Sequence, residues 1–480
     1  MNFLNRLKTA SRFLLNPQAR FEGASFVTHR SYIPEVVQSP RWDVDSITRN
    51  ELVRRSRYFE KNNAFVNRLA DLQEQYTVGA GIEFFPASSD PVWNVAALRY
   101  WRDWQRFADL SSRQSFGTLQ GIIARAVFVD GESFILLTEG DTGRPRIQLV
   151  ETHRVKNFNN AGDTDELFDG IRLDPRGRPV AYDMVSESAS RRETWFTQPA
   201  DFVVHVFEPS RAGQLRGLPA IYPVLNDIAD LDELQLLEMQ AAKQAAEVTN
   251  VIKTATGEVE DEDIIRGTQT GGDGVERANY YREVFGAKAK VLKHGDEFGQ
   301  FRVERPSAAT SGYWDSLVNK ICVGTGIPKE IAIPTSMQGT SMRSVHAVAN
   351  QYFRSRSAVI AEHLRRVFEF VIERGIKTDP TLKNPPADWF RSTYRSPRSI
   401  SVDMGYDSTA MVNEFKAGMR TLQSIYAESG EDWREQLRQR ALEIAYANEL
   451  ATEFKVERAE IMALDPNELA SQNAATTPAK

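Results

Sequence analysis

Residues 205–254, HVFEPSRAGQLRGLPAIYPVLNDIADLDELQLLEMQAAKQAAEVTNVIKT, join a basic turn punctuated by glycine to a long helical pattern. Pro219 suits the first turn of a helix, where a missing N–H costs nothing. Beyond it Ile221, Leu225, Ile228, Leu231, Leu236 and Met239 recur at three-to-five-residue steps, which predicts a helix over 219–250 with one apolar face. Its first half is acidic: Asp227, Asp230, Asp232, Glu233 and Glu238 all precede the first base, Lys243. Peptide dipoles favour carboxylates near a helix amino end, so a solvated acidic face is one sufficient reading of them. The pattern is that of a scaffold part and not of a catalytic pocket.

On the amino-terminal side, FVVHVF closes a run of short alternating strands, ESFILLTEG, IQLVE, GIRLD, PVAYDMV and TWFT, separated by the turns GDTGRPR and DPRGRP. This is the composition of an α+β domain with an antiparallel sheet. Three helical patterns precede the strands. The first, over 44–78, carries Ile47, Leu52, Val53, Phe59, Phe65, Leu69, Leu72 and Tyr76 and stops at VGAGIEFFP, where IEFF reads as a short strand. The second, over 91–108, carries Trp93, Tyr100, Trp101, Trp104 and Phe107, an aromatic stripe that reads as core or subunit interface. The third is FGTLQGIIARAVFVD from Phe116.

On the carboxyl-terminal side, GEVEDEDIIRGTQTGGDGVERANYYREVFG reads as an exposed loop, followed by a hairpin of AKAKVLKH and FGQFRVERP joined through GDE. Residues 307–322 read as a helix that stops at VGTGIPKEI. Over 342–375, Val345, Val348, Tyr352, Ile360, Leu364, Val367 and Val371 predict a helix of roughly 50 Å, at about 1.5 Å per residue. A helix that long needs partners along its length. The segment from PPADWFRSTYR to AYANEL reads as helical, broken at SPRS and ESGED. The end, LDPNELASQNAATTPAK, reads as disordered, and the beginning, with Arg6, Lys8, Arg12 and Arg20, as a mobile basic arm.

At 480 residues the chain exceeds one compact core, and its 41% hydrophobic content is enough for folded cores. Lys and Arg number 59 against 65 Asp and Glu, a formal charge of −6. A protein that grips DNA along a groove is normally basic, because neutralising phosphates drives that binding. The single cysteine, Cys322, excludes an internal disulfide and reads as a small buried hydrophobe. Neither a signal peptide nor an apolar run near the roughly 18 residues of a membrane helix is read, so no membrane partner is expected.

No P-loop occurs; GTGIPKE follows a helix and lacks the terminal GK-Ser/Thr. His29, His153, His205, His294, His346 and His363 are scattered without HExxH, and there is no GxSxG. No cofactor, no metal site and no enzyme activity is expected. The rival reading is a metal-dependent nuclease of a DNA-packaging apparatus, with Glu258, Glu260, Asp261, Glu262 and Asp263 gathering magnesium. A run of carboxylates on a loop without ordered spacing is more simply a solvated surface.

Several ordered signatures carry a resemblance: VGAGI, the GES strand start, the GIRLDPRGRPVAYDM hairpin, HVFEPSRAGQLRG, and VGTGIPKE followed by the long helix. Over about 45–450 the chain resembles phage portal proteins of the lambda family. The resemblance implies an elongated α+β subunit, with long stem and wing helices and a mainly antiparallel β wing, assembled in a ring. It implies a wing over 44–216, after the arm of 1–43. A first stem helix over 217–254, a clip over 255–306 and a second stem helix over 307–325 follow. A tunnel loop over 326–343, a long wing helix over 344–376, wing and crown helices over 377–460 and the tail of 461–480 complete it. The implied partners are other copies of the chain in a dodecamer, double-stranded DNA without sequence preference, the terminase large subunit, major capsid and scaffold proteins, and a head-tail adaptor. The implied place is the portal vertex of the virion, reached through the host cytoplasm.

Under that resemblance Gln338, Thr340, Ser341 and Arg343 are the candidates to brush DNA from the tunnel loop, although IAIPTSMQGTS departs from the family's asparagine- and tyrosine-containing stretch. Asp227, Asp230 and Glu233 are candidates to line a stem channel, where a net acidic wall keeps DNA from sticking. Arg211 and Arg216 are read as structural or interface arginines, because a planar guanidinium pairs bidentately with carboxylates or carbonyls.

Overall fold

The structure, a computed structural model, describes residues 37, 39–140, 143–187, 193–247, 251–253, 265–270, 276–284, 287–292, 308–333, 340–397, 411–429, 433–456 and 461. Of the expected basic arm of 1–43, residues 1–36 and 38 lie outside them, while Pro40–Asp43 form a helical turn in place of a mobile end; the tail beyond 461 also lies outside them. The first helical pattern is two helices, α1 (Ser46–Asn62) and α2 (Ala64–Thr77). Asp45 caps α1 by accepting from the Thr48 N–H at 2.8 Å. Asn63, in extended backbone, ends α1 and caps α2, its side-chain oxygen accepting from Phe65 and Val66 N–H at 3.0 Å each. The apolar spacing runs through this break, which is why the sequence reads as one helix. Ile47, placed on the apolar face by that spacing, is exposed.

After α2 the backbone turns through Gly79 and Gly81, at φ 56° and 128°, conformations that favour glycine. Next come β1 (Glu83–Pro86), α3 (Pro91–Gln105) and α4 (Phe116–Val129). The strands read from ESFILLTEG, IQLVE, GIRLD, PVAYDMV, TWFT and FVVHVF form as β2 (Glu132–Glu139), β3 (Pro145–Val150), β5 (Ile171–Leu173), β6 (Pro179–Glu187), β7 (Glu193–Pro199) and β8 (Val203–Phe207), and a two-residue strand absent from that reading, β4 (Leu167–Phe168), joins them. They build two antiparallel sheets, ordered β3-β2-β8 and β4-β5-β6-β7.

The acidic helix α5 (Leu225–Glu247) starts later than predicted, after a 3-10 turn at Tyr222–Val224, so Pro219 precedes it. The stretch read as an exposed loop contains strands. β9 (Val251–Lys253), β10 (Ile265–Thr270), β11 (Glu276–Val284) and β12 (Ala287–Leu292) form a sheet ordered β10-β11-β12-β9, with β12 and β9 parallel. The AKAKVL segment therefore pairs with β11 and β9. The expected partner FGQFRVERP lies outside the described residues. Then follow α6 (Ala308–Thr325) and α7 (Thr340–Thr378). A further strand, β13 (Ser392–Arg395), precedes α8 (Leu422–Ser429) and α9 (Trp433–Phe454). β13 corrects the all-helical reading of this region: it pairs antiparallel with β1, a partner far earlier in the chain, with Glu83 opposite Arg395.

Three apolar cores result. In the first, Trp93, Trp101 and Trp104 of α3 pack with Phe84, Phe116, the Ile135 side of β2, and Ile360, Leu364, Val367 and Val371 of α7. The second joins α2, α5, α6 and the early part of α7 through Leu69, Leu72, Ile228, Leu231, Val318, Ile321, Ala349 and Phe353. The third lies between the two main sheets and takes Phe134 and Leu136 from the opposite face of β2, as alternation along a strand requires. The 39 residues of α7, roughly 58 Å at about 1.5 Å each, thus find partners in two cores. Cys322 is buried in the second core, which pushes its thiol up to about 11.

Candidate functional site

Two of the sequence signatures meet in space. GES places Glu132 at the start of β2, and QLRG delivers Arg216 just before α5. The chains approach so closely here that a side chain at Gly131 or Gly217 would overlap backbone, and Gly131 sits at φ 90°. Glu132 and Arg216 are both buried. Arg216 donates from Nε and Nη2 to Glu132 Oε1 at 2.9 and 2.6 Å, and from Nη1 to the Val155 carbonyl at 3.1 Å. The same guanidinium lies 3.1 Å from Asp169 Oδ2. Arg49 of α1 donates to Asp169 at 2.6 Å and to Thr152 Oγ1 at 3.0 Å. Glu132 Oε2 accepts from the Gly217 N–H at 2.8 Å and lies 2.9 Å from His205 Nε2. Thr152 donates to the other oxygen.

Two arginines face two carboxylates, so the buried cluster is charge-balanced with His205 neutral. Burial alone would raise the Glu132 carboxyl; the Arg216 charge, the His205 hydrogen bond and Arg49 together hold it well below the usual range. Burial lowers His205 against the pull of Glu132. An ionised carboxylate only accepts, so the His205 proton sits on Nε2. The ring stacks between Phe134, its direct cross-strand partner, and Phe207, with centroids 4.2 and 4.4 Å away. Arg57 adds a bidentate pair to Asp130 at 2.7 and 2.6 Å, and Ser56 donates to the Val129 carbonyl at 2.6 Å. The effect is to fasten α1, both main sheets and the lead-in to α5 at one joint. Of these groups the sequence reading singled out Arg216 alone. The available signal was a glutamate opening the apolar run ESFILL, a charge where a buried strand begins.

The other candidates separate. Arg211 is half-exposed and ion-paired to Asp43. Arg356 of α7 pairs with Glu208, which ties the same turn to the long helix. On α5, Asp227 is buried and accepts from Lys320 of α6 at 2.6 Å, while Asp230 and Glu233 are exposed. Asn63 donates to Asp232 at 2.7 Å and Thr310 to Glu238 at 3.1 Å. The acidic residues thus divide into an inward set that bridges helices and an outward set that faces solvent. Thr340 begins α7, Ser341 and Arg343 are exposed on its first turn, and Gln338 lies outside the described residues, as does the 258–263 carboxylate run. Leu236 and Met239, expected on the apolar face of the helix, are exposed at 53% and 55%. Among the described residues no helix is long and apolar enough to cross a membrane, and no three His, Cys, Asp or Glu side chains gather as a metal site.

Fold and site define a structural subunit, in which buried charge fixes elements to one another and apolar residues remain exposed on a pair of long helices. Residues 33–359 match the family described as phage portal protein, lambda family. The chain belongs to that family, and its function is that of a portal subunit. It is 25% identical to portal protein B of Escherichia phage lambda over 434 residues, 78% of this chain and 80% of that protein. It is 24% identical to the portal protein of Escherichia phage N15, with the same coverage of each. A probable portal protein of Halomonas phage phiHAP-1 is 22% identical over 59% of this chain and 56% of that protein. Among solved structures, a chain from the neck of an empty gene transfer agent particle shares 10% identity over 78% of this chain and 93% of its own, with a TM-score of 0.45. One from the neck of the native particle, computed with C12 symmetry, shares 11% over 81% and 94%, with a TM-score of 0.42.

Proposed function

We propose that the chain closes into a dodecameric ring at one vertex of a tailed-phage head and conducts double-stranded DNA into and out of the capsid. The observation that carries this is the family match across 33–359, which spans the two main sheets, the clasp at Glu132 and Arg216, the helices α5 and α6, and the first half of α7. One interface repeated by rotation until it closes produces such a ring. Tyr222, Leu236, Leu237 and Met239 around α5, and Tyr313 and Val323 on α6, are large apolar side chains left exposed in a single subunit, as a neighbouring copy requires. In this reading α5 and α6 form the stem, β9 to β12 belong to the clip, and the α7 start carries Thr340, Ser341 and Arg343 toward the DNA path.

Asp230 and Glu233 give the stem an outward acidic surface against which DNA slides without sequence preference. Arg216 and Arg211 act as structural arginines, holding wing to stem. The role is mechanical and needs no cofactor. The ring docks the terminase large subunit during packaging and a head-tail adaptor afterwards, and it seeds assembly with scaffold and major capsid proteins in the host cytoplasm before residing in the virion. The nuclease alternative has no support in the family match. Native mass measurement with electron microscopy tests the proposal: a species with twelve times the subunit mass of 54.2 kDa and a central hole is expected. A compact oligomer without a hole would overturn it.

A further inference from the structure

The two main sheets end in four edge strands, β3, β8, β4 and β7, and the first three are blunted. Backbone from Ala108 to Leu110 exchanges hydrogen bonds with Ile147 of β3 at 2.8 and 2.9 Å. β8 is buried, and Arg366 of α7 donates to its Val203 carbonyl at 3.2 Å. β4 is only two residues long. β7 has seven residues, and among the described residues no strand pairs with its outer side. Between Glu193, which pairs with Lys156 at 2.9 Å, and Pro199 the strand reads TWFTQ, without a charge. Phe196 packs on the third core, and Trp195 meets Phe158 with centroids 5.1 Å apart. Both faces of the strand are thus held while its backbone edge stays open. A rigid, uncharged edge of this length is a template for another strand.

We propose that residues 26–33, FVTHRSYI, of a neighbouring copy add to this edge of β7, a contact that rests on the ring proposed above. Pairing of β7 with the β7 of another copy needs a two-fold axis that a simple cyclic ring lacks, so the occupant is a different segment. The amino-terminal arm is placed to supply it. Arg41 donates to the Thr164 carbonyl at 2.7 Å and lies over the Phe168 ring at 5.1 Å. The chain therefore enters the fold beside β4, the opposite edge of the sheet that β7 closes. Its own β7 lies across the whole sheet, three strand spacings or roughly 14 Å further on. Repetition of one heterologous interface, by contrast, sets opposite sides of adjacent copies against each other. Phe26, Val27, Thr28, Tyr32 and Ile33 are residue types that favour strands, and Pro34 bounds their run as Pro199 bounds β7.

Hydrogen exchange on the assembled ring tests the contact. Amides of 193–198 should exchange about tenfold or more slowly in wild type than in a chain lacking residues 2–36, with β6 unchanged. Val27→Pro with Ser31→Pro keeps the length of the arm but removes two backbone donors, and should speed exchange as the deletion does. The added strand is identified by placing the photocrosslinking residue benzoylphenylalanine at Thr194, which is exposed on β7, in rings assembled from isotope-labelled and unlabelled chains in equal parts. Crosslinks from this position to peptides within 24–36 that join a labelled to an unlabelled chain are expected. Crosslinks to the arm that never join the two labels would overturn exchange between copies. Crosslinks to any other segment of a neighbour, or a ring whose β7 amides exchange equally with and without the arm, would overturn the arm as occupant. Failure of wild type to reach the ring mass would instead overturn the ring, and the contact with it.

Discussion

At the scale of single residues, the buried cluster sets the strongest constraints. Removing one partner of a buried ion pair strands the other charge, so Arg216→Met, which leaves the more distant Arg49 as the one guanidinium near Glu132, is expected to cost about 3–5 kcal/mol in denaturant unfolding. The double variant Arg216→Met with Glu132→Gln should cost less than the sum of its singles, because Arg49 and Asp169 remain paired at 2.6 Å. Strict additivity would show that the two side chains do not act on each other. His205 adds a pH dependence. Its folded pKa lies below the ordinary value of 6.5, so as pH falls through 6.5 the unfolded chain takes up a proton that the folded chain refuses. Stability should fall between pH 6.5 and the lowered folded pKa. Glu132, depressed in the folded state, adds loss only as pH drops below its unfolded value near 4.5. Unfolding midpoints at pH 7.5 and 5.5 should therefore differ less in His205→Gln than in wild type. An unchanged difference would place the acid sensitivity elsewhere. The fork of Arg216 was legible as a pairing group, but Glu132 lies 84 residues earlier, and nothing in spacing along a chain encodes which carboxylate the fold will deliver.

At the scale of elements, what the sequence disclosed and what it concealed follow from the range of the forces involved. Apart from the two-residue β4, the strands of the two main sheets were legible because alternation is local and each strand buries a face. β1 was legible from IEFF after its glycine turn, but β13 was not, because STYR lies in a stretch of helical spacing and gains its strand identity from a partner remote in the chain. The division at Asn63 was hidden by apolar spacing that continues through it. Asn63→Ala removes the cap of α2 and the hydrogen bond to Asp232 together, and should destabilise the chain by about 1–2 kcal/mol in thermal or denaturant unfolding. A loss within experimental error would mean that the two helices hold their angle by packing alone. Periodicity along α5 likewise names an apolar face without naming what covers it: Ile228 and Leu231 are buried within the subunit, Leu236 and Met239 are exposed. If a neighbouring copy covers the latter, the double variant Leu236→Glu, Met239→Glu should melt within about 0.5 kcal/mol of wild type as a single subunit yet fail to reach the ring mass. A ring formed normally by this variant would remove α5 from the subunit interface.

At the scale of the whole molecule, the balance of charge bears on how a conduit treats its cargo. A formal charge of −6 per subunit sets the ring against DNA at long range, and a channel wall must let every phosphate pass without holding any. The folded chain sorts its acids along α5. Asp227 is turned inward to Lys320, where it neutralises a base, and Asp230 and Glu233 are left facing outward. If those two face the DNA path, Asp230→Lys with Glu233→Lys should convert a weak, weakly salt-dependent association of the assembled ring with short duplex DNA into a tight one. The logarithm of its binding constant should then fall against the logarithm of salt with a slope steeper by about 0.9 for each phosphate newly contacted. Fluorescence anisotropy across roughly 50 to 300 mM salt, the range where counterion release dominates, reads this directly. A control pair of lysines on the exposed face of α9, at Glu443 and Glu449, carries the same change in net charge away from the stem. Equal steepening in both variants would reduce the effect to overall charge, whereas steepening confined to the α5 variant assigns Asp230 and Glu233 to the wall that DNA slides past.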